Sequence, residues 1–144
     1  MTVAAMLRHK GHEVASVSPT DKIVDVSELL SRRRIGAALV LDAAEQLLGI
    51  ISERDIVHAI ASNGVRALEM TAGQLMTRAL RTVSPETTVL EAMSLMTEGR
   101  FRHLPVLRHD KLVGIVSIGD VVKARMLQQD HEVDSLRAYV AGSA

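Results

Sequence analysis

Two phrases of the chain place a hydroxyl and a carboxylate at one fixed spacing. Gly49-Ile50-Ile51-Ser52-Glu53-Arg54-Asp55 and Gly114-Ile115-Val116-Ser117-Ile118-Gly119-Asp120 share the glycine, serine and aspartate, and the two residues between Ser and Asp differ completely. Ser ahead of a helix is an N-cap, and an acid at the third helical position suits the dipole. That reading is enough for one Ser-x-x-Asp. Two copies ask for more, because Thr, Asn or Asp caps as readily as Ser, and Glu suits the third position better than Asp. A helix N-terminus with free N–H groups is also an anion site. There a Ser hydroxyl can donate to a phosphate oxygen, and an Asp three residues on lies on the same face. A carboxylate one turn from a phosphate can accept from both hydroxyls of a ribose. Apolar strand residues alongside offer a slot for a flat base. The chemistry at that spacing is phosphate, ribose and base, met in order.

The elements that must position these groups are also written twice. Val17-Ser18-Pro19 recurs as Val83-Ser84-Pro85, an offset of 66 that carries through Leu29/Leu95, Arg34/Arg100, Val40/Val106 and Leu41/Leu107. From Gly49/Gly114 the offset is 65, because the intervening turn is one residue longer in the first copy. Positions 17–41 keep 7 identities in 25, whereas 49–57 keep 5 in 9, so the Ser-x-x-Asp block is the more constrained. Each copy starts with an extended piece, 15–18 or 80–84, that ends at Ser-Pro. Apolar stripes then predict helices: Ile23, Val26, Leu29 and Leu30 in one copy, and Val89, Ala92, Met93 and Met96 in the other. A strand, a polar turn and a second strand follow ("GAALVLD" into "LLGIIS", "HLPVLR" into "LVGIVS"), and a second helix begins at the Ser. "AALVL" is apolar throughout, as a strand covered on both faces should be.

The expected fold class is α+β: two tandem β-α-β-β-α repeats packed sheet to sheet about a pseudo-twofold axis. One unit of about 55 residues is marginal alone. The expected boundaries are an N-terminal helical flank at 1–12, repeat one at 13–66, a linker at 67–78, repeat two at 79–128, and a C-terminal helix extension at 129–144. Val3, Met6 and Leu7, with Val133, Leu136 and Val140, read as apolar surface left over by the repeats. They motivate a homodimer.

Composition narrows the function classes. Basic and acidic residues number 17 each, so broad attraction to nucleic acid or an anionic membrane is not indicated. There is no cysteine, which removes disulfides and thiolate chemistry and fits a reducing, cytoplasmic setting. No apolar run approaches the roughly 18 residues of a transmembrane helix, and the N-terminal apolar stretch is too short for a signal peptide. No G-x-S-x-G, Walker lysine loop or H-E-x-x-H occurs, so no enzyme is expected. His9 and His12 flank a helix-ending glycine and read as solvated surface rather than a metal site. Arg32 to Arg34 suit a helix C-terminus and make a weak nucleic-acid patch without interleaved aromatics.

With "RHLPV" on the strand before the second motif, the duplicated Gly-h-h-Ser-x-x-Asp resembles a tandem pair of CBS domains, a Bateman module, over roughly residues 13–128. It is similar to the small stand-alone bacterial members. The resemblance implies a regulatory, non-catalytic module that binds an adenosyl ligand such as AMP, ATP or NAD(H), with no obligatory cofactor and no metal. It implies that Ser52 with Asp55, and Ser117 with Asp120, are phosphate–ribose pairs. It further implies that Asp120 faces Val17, Ser18, Gly36, Ala37 and Ala38, and that Asp55 faces Thr82, Val83, Arg102, His103 and Pro105. Arg54 adds a phosphate contact that Gly119 cannot, so the Asp55 site should favour the more anionic ligand and the Asp120 site a single-phosphate one. His103 beside Arg102 is either a solvent-facing strand histidine or a ligand contact. A protein–protein adaptor with vestigial clefts, serving an unknown protein target, is the alternative; a nucleic-acid module is a weaker third.

Overall fold

A computed structural model describes residues 1–142. Residues 143–144 of the expected C-terminal extension lie outside the described residues. In chain order the elements are α1 (Val3–Lys10), β1 (Ser16–Val17), α2 (Ile23–Arg33), β2 (Ala37–Leu41), β3 (Leu47–Ser52), α3 (Glu53–Asn63), a 3₁₀ turn (Gly64–Glu69), α4 (Ala72–Leu75), α5 (Val89–Gly99), β4 (His103–Arg108), β5 (Lys111–Ser117) and α6 (Ile118–Gly142). The architecture is α+β. The chain divides into two compact units, one of Glu13–Leu80 and one that joins Met1–His12 to the chain from Arg81 onward.

In the Glu13–Leu80 unit β1 pairs parallel with β2, and β2 pairs antiparallel with β3. Residues 37–40 are all buried, as the unbroken apolar run requires. Ile23, Val26 and Leu30 form the buried stripe of α2 and pack with Val40, Ile51 and Ile56 into one core. In the other unit β4 and β5 form an antiparallel hairpin, and Val89, Ala92 and Met96 of α5 pack with Leu104, Val106 and Val116. α5 starts on a reciprocal cap. The Thr88 hydroxyl accepts from the Glu91 N–H, and the Glu91 carboxylate accepts from the Thr88 N–H. The two copies also stop their first helix alike. Arg34 and Arg100 hold φ of 53° and 57°, the left-handed conformation that closes a helix C-terminus.

Two expectations are corrected here. The extended piece at 80–84 does not become a strand; it contributes one parallel bridge, Val83 to Val106. In the first copy Leu39 N–H donates to the Ala15 carbonyl and extends the ladder. The residue in that place in the second copy is Pro105, which has no N–H to give. The second correction concerns Val3, Met6 and Leu7. They are not left-over surface, because all three are buried in the core of the second repeat. Backbone bonds fasten them there: Val3 N–H donates to Thr87 O at 2.8 Å, Ala4 N–H to Pro85 O at 2.9 Å, and Val89 N–H to Met1 O at 3.0 Å.

The segment ahead of repeat one therefore packs on repeat two. The matching segment ahead of repeat two, α4 with Met76 and Thr77, packs on repeat one. Thr77 pairs with Ile50, and Ala72 and Met76 lie in that core.

Candidate functional site

Each Ser-x-x-Asp sits where a strand turns into a helix. Ser52 ends β3 and caps α3: its N–H and its hydroxyl donate to Asp55 Oδ2 at 2.8 and 2.9 Å, and the Asp55 N–H donates to Ser52 Oγ at 3.2 Å. Ser117 and Asp120 repeat the box at the head of α6, with bonds of 2.8 and 3.1 Å. The capping role is thus real in both copies. It also aims each carboxylate across the first turn, at the edge where N–H groups of the helix N-terminus lie.

The third partner of each carboxylate differs. Thr77 donates its hydroxyl to Asp55 Oδ1 at 3.2 Å. At Asp120 the partner is Lys10, whose ammonium meets Oδ2 at 2.5 Å and also donates to the Ile115 carbonyl at 2.8 Å. Burial pushes the Asp120 carboxyl up, but the Lys10 ammonium and the Ser117 N–H together outweigh it and hold the group below its ordinary value. Lys10 also changes the expected surroundings of Asp120, which read in sequence as small and uncharged. Asp120 and Lys10 border a cavity of about 350 Å³ that Lys123 and His9 also line.

The motif glycines mark where the leading segments cross. A Cβ on Gly49 would stand 2.7 Å from the Thr77 carbonyl oxygen, and one on Gly114 would stand 2.8 Å from Leu7 Cδ2. Both distances are below any real contact, so the strand must be bare where the neighbouring chain passes over it.

Within each unit the strand residues singled out in sequence lie beside their own repeat's serine. Ala37 pairs with Ser52 and Ala38 with Ile51, and the Glu53 N–H donates to the Gly36 carbonyl. His103 pairs with Ser117, and the Ile118 N–H donates to the Arg102 carbonyl. Arg54 and Gly119 are exposed in the first turns of α3 and α6, and Arg102 is exposed as well. Val17, Val83 and Pro105 are buried. Ser18 is tied into a turn, its N–H donating to Asp21 Oδ2 at 3.0 Å. Thr82 and Val83 line a separate groove of about 630 Å³ with Ser84 and Thr87, away from Asp120 in the same unit. His12 points its ring nitrogen at the Val113 carbonyl, 3.0 Å away, and Gly11 between it and His9 takes φ of 100° to end α1. Among the described residues no group of three or more His, Cys, Asp or Glu is placed to hold a metal, and no helix is long and apolar enough to cross a membrane.

Lys10 and Thr77 were not singled out from sequence. The one available signal was the paired glycines, which call for a close neighbour without saying which.

A duplicated strand-to-helix turn with a Ser/Asp box, on α+β units of this topology, defines a CBS pair. Residues 6–62 and 72–127 each match the CBS domain. This chain belongs to the CBS-domain family. It is 36% identical over 149 residues to the mitochondrial CBS domain-containing protein CBSX3 of Arabidopsis thaliana, spanning 98% of this chain and 72% of that one. It resembles a crystal structure of a CBS-domain-containing protein from Agrobacterium tumefaciens, with a TM-score of 0.84 and 41% identity over 86% of this chain and 92% of that chain. It also resembles CBSX2, solved in complex with AMP, with a TM-score of 0.72 and 28% identity over 89% and 98% of the two chains.

Proposed function

We propose that this protein is a non-catalytic regulatory module that binds adenosyl nucleotides at its two Ser-x-x-Asp turns. The observation that carries the reading is the survival of both boxes at helix N-termini, in a fold whose relative CBSX2 was solved with AMP. Ser52 and Ser117 meet phosphate, Asp55 and Asp120 meet ribose, and the strand residues Gly36, Ala37, Ala38, Arg102, His103 and Pro105 meet the base. Val17, Ser18, Thr82 and Val83 supply the neighbouring walls. The module acts in the cytoplasm as an energy sensor for AMP, ATP or NAD(H), passing the signal to a protein target.

The two turns are not equivalent. Arg54 is exposed at the N-terminus of α3, where a second phosphate would extend. The charge of Lys10 is committed to Asp120. The Asp55 turn therefore takes the more anionic ligand, and the Asp120 turn a single-phosphate one.

One observation favours the adaptor reading: both carboxylates already have partners, and Asp120 has a cation. A thermal-shift panel with AMP, ATP, NADH and S-adenosylmethionine separates the two. A ligand at about 100 times its dissociation constant stabilises by about 2.7 kcal/mol, a shift of several degrees. No shift with any of them at millimolar concentration would rule out the sensor and leave the adaptor.

A further inference from the structure

Helix α6 is longer than the repeat needs. Val121 and Ala124 are buried in the core, whereas every residue from Gln129 to Gly142 is exposed. A free helix of about 14 residues is marginal in water. The exposed side of α6 is not uniformly polar. Val122, Met126, Gln129, Val133, Leu136 and Val140 follow one another in steps of four and three, the seam of a coiled coil. This row lies roughly a third of a turn around the helix from Val121 and Ala124. Met126, Val133 and Leu136 are 60%, 47% and 63% exposed among the described residues.

The residue types choose a partner. In heptad terms Met126, Val133 and Val140 take the a places, and Val122, Gln129 and Leu136 the d places. Val133 and Val140 at a with Leu136 at d make the pairing that favours two parallel strands. The flanking charges choose the orientation. In a parallel pair Arg125 faces Asp130 of the second copy and Glu132 faces Arg137 of the second copy, both attractive. An antiparallel pair centred on the same stretch sets Asp130 against Asp130, Glu132 against Glu132 and Lys123 against Arg137.

We propose that residues 122–140 of two copies of this chain form a parallel, in-register coiled coil. This surface lies beyond nucleotide binding and does not depend on it. It replaces Val3, Met6 and Leu7 with Val122, Met126 and Gln129 in the expected dimer contact.

Sedimentation of the full chain over a concentration series tests it. A monomer–dimer equilibrium is expected, and Leu136→Asp should weaken it at least about tenfold. An unchanged amide spectrum over residues 13–117 certifies that this variant folds. Glu132→Arg should weaken the dimer by several-fold, and adding Arg137→Glu should restore it. The chain has no cysteine, so Gln129→Cys and Leu136→Cys each report register. A parallel pair cross-links both variants to themselves under mild oxidation, and an antiparallel pair can do so for at most one. A monomer at about 100 µM, a dimer indifferent to Leu136→Asp, or failure of either variant to cross-link overturns the proposal.

Discussion

Asp55 and Asp120 hold the same place in two copies of one motif, yet each is steadied by a different kind of group. A neutral hydroxyl from Thr77 reaches Asp55, and a cation from Lys10 reaches Asp120. Both groups arrive on the segment that precedes the other repeat, and both segments cross a glycine. The copies thus share a way of building the turn and differ in the last atom that touches it. Duplication kept what the backbone needs and left the charge at each carboxylate free to diverge.

The crossing glycines give the largest expected effects. Gly49 lies under the Thr77 carbonyl, which is itself fixed by the Ile50 N–H at 3.0 Å, while Thr77 N–H donates back to Ile50 O at 2.8 Å. A backbone held on both sides cannot move aside. Gly114 lies under the methyl end of the buried Leu7 side chain, which gives by a small shift more readily than a backbone held on both sides. Gly49→Ala should cost about 3 kcal/mol and Gly114→Ala about 1 kcal/mol, within the range of overpacked cores. Each kcal/mol lowers the melting temperature by about 3 °C in a chain of this size. Thermal melts of the two variants decide it, and equal losses would mean that the two crossings are alike.

The glycines also show what could be read in the sequence. Ser52, Asp55, Ser117 and Asp120 were legible because they are repeated at one spacing, and the helices because their apolar stripes are local. Lys10 and Thr77 were not. They reach their aspartates across 110 and 22 residues of chain, and no local pattern records a contact of that range. The exchange of leading segments was hidden for the same reason. Val3, Met6 and Leu7 formed a correct helix face, but a face does not name the core that receives it. The shortened strand at 80–84 had its cause in plain view: Pro105 stands where Leu39 donates, and the loss becomes evident only once those two positions are paired.

Binding gives the next effect in size. Removing a carboxylate that holds a ribose diol should cost about 1.5–3 kcal/mol, roughly ten- to a hundredfold in affinity at that turn. Calorimetry with AMP and ATP on Asp55→Ala and Asp120→Ala sharpens the comparison. Asp55→Ala should weaken ATP more than AMP, and Asp120→Ala the reverse. Equal losses of both nucleotides in both variants would sink the claim that the turns differ. No loss in either would leave Ser-x-x-Asp as a helix cap written twice.

The smallest expected effect isolates the cation. Lys10 and Asp120 keep 32% and 27% of their side-chain surface exposed, so solvent screens the pair, and Lys10→Met should cost no more than about 1 kcal/mol at neutral pH. Its signature lies in the titration of Asp120. Burial raises that carboxyl, and Lys10 with Ser117 brings it below 3.8. A group whose value is depressed on folding adds stability that is full above its unfolded value and is lost as pH falls through its folded value. The hold of Asp120 on α1 should therefore persist at neutral pH and slacken only below about pH 4. Lys10→Met removes the ammonium and leaves the burial, so the Asp120 midpoint should move up. The stability gap to the parent chain should narrow in acid, where the carboxylate is protonated in both. Thr77→Val touches only Asp55 and should leave the Asp120 midpoint where it was. Carboxyl carbon NMR across pH 2–6 reads both variants, and an Asp120 midpoint indifferent to Lys10→Met would show that the ammonium is a bystander and that the two turns are held alike.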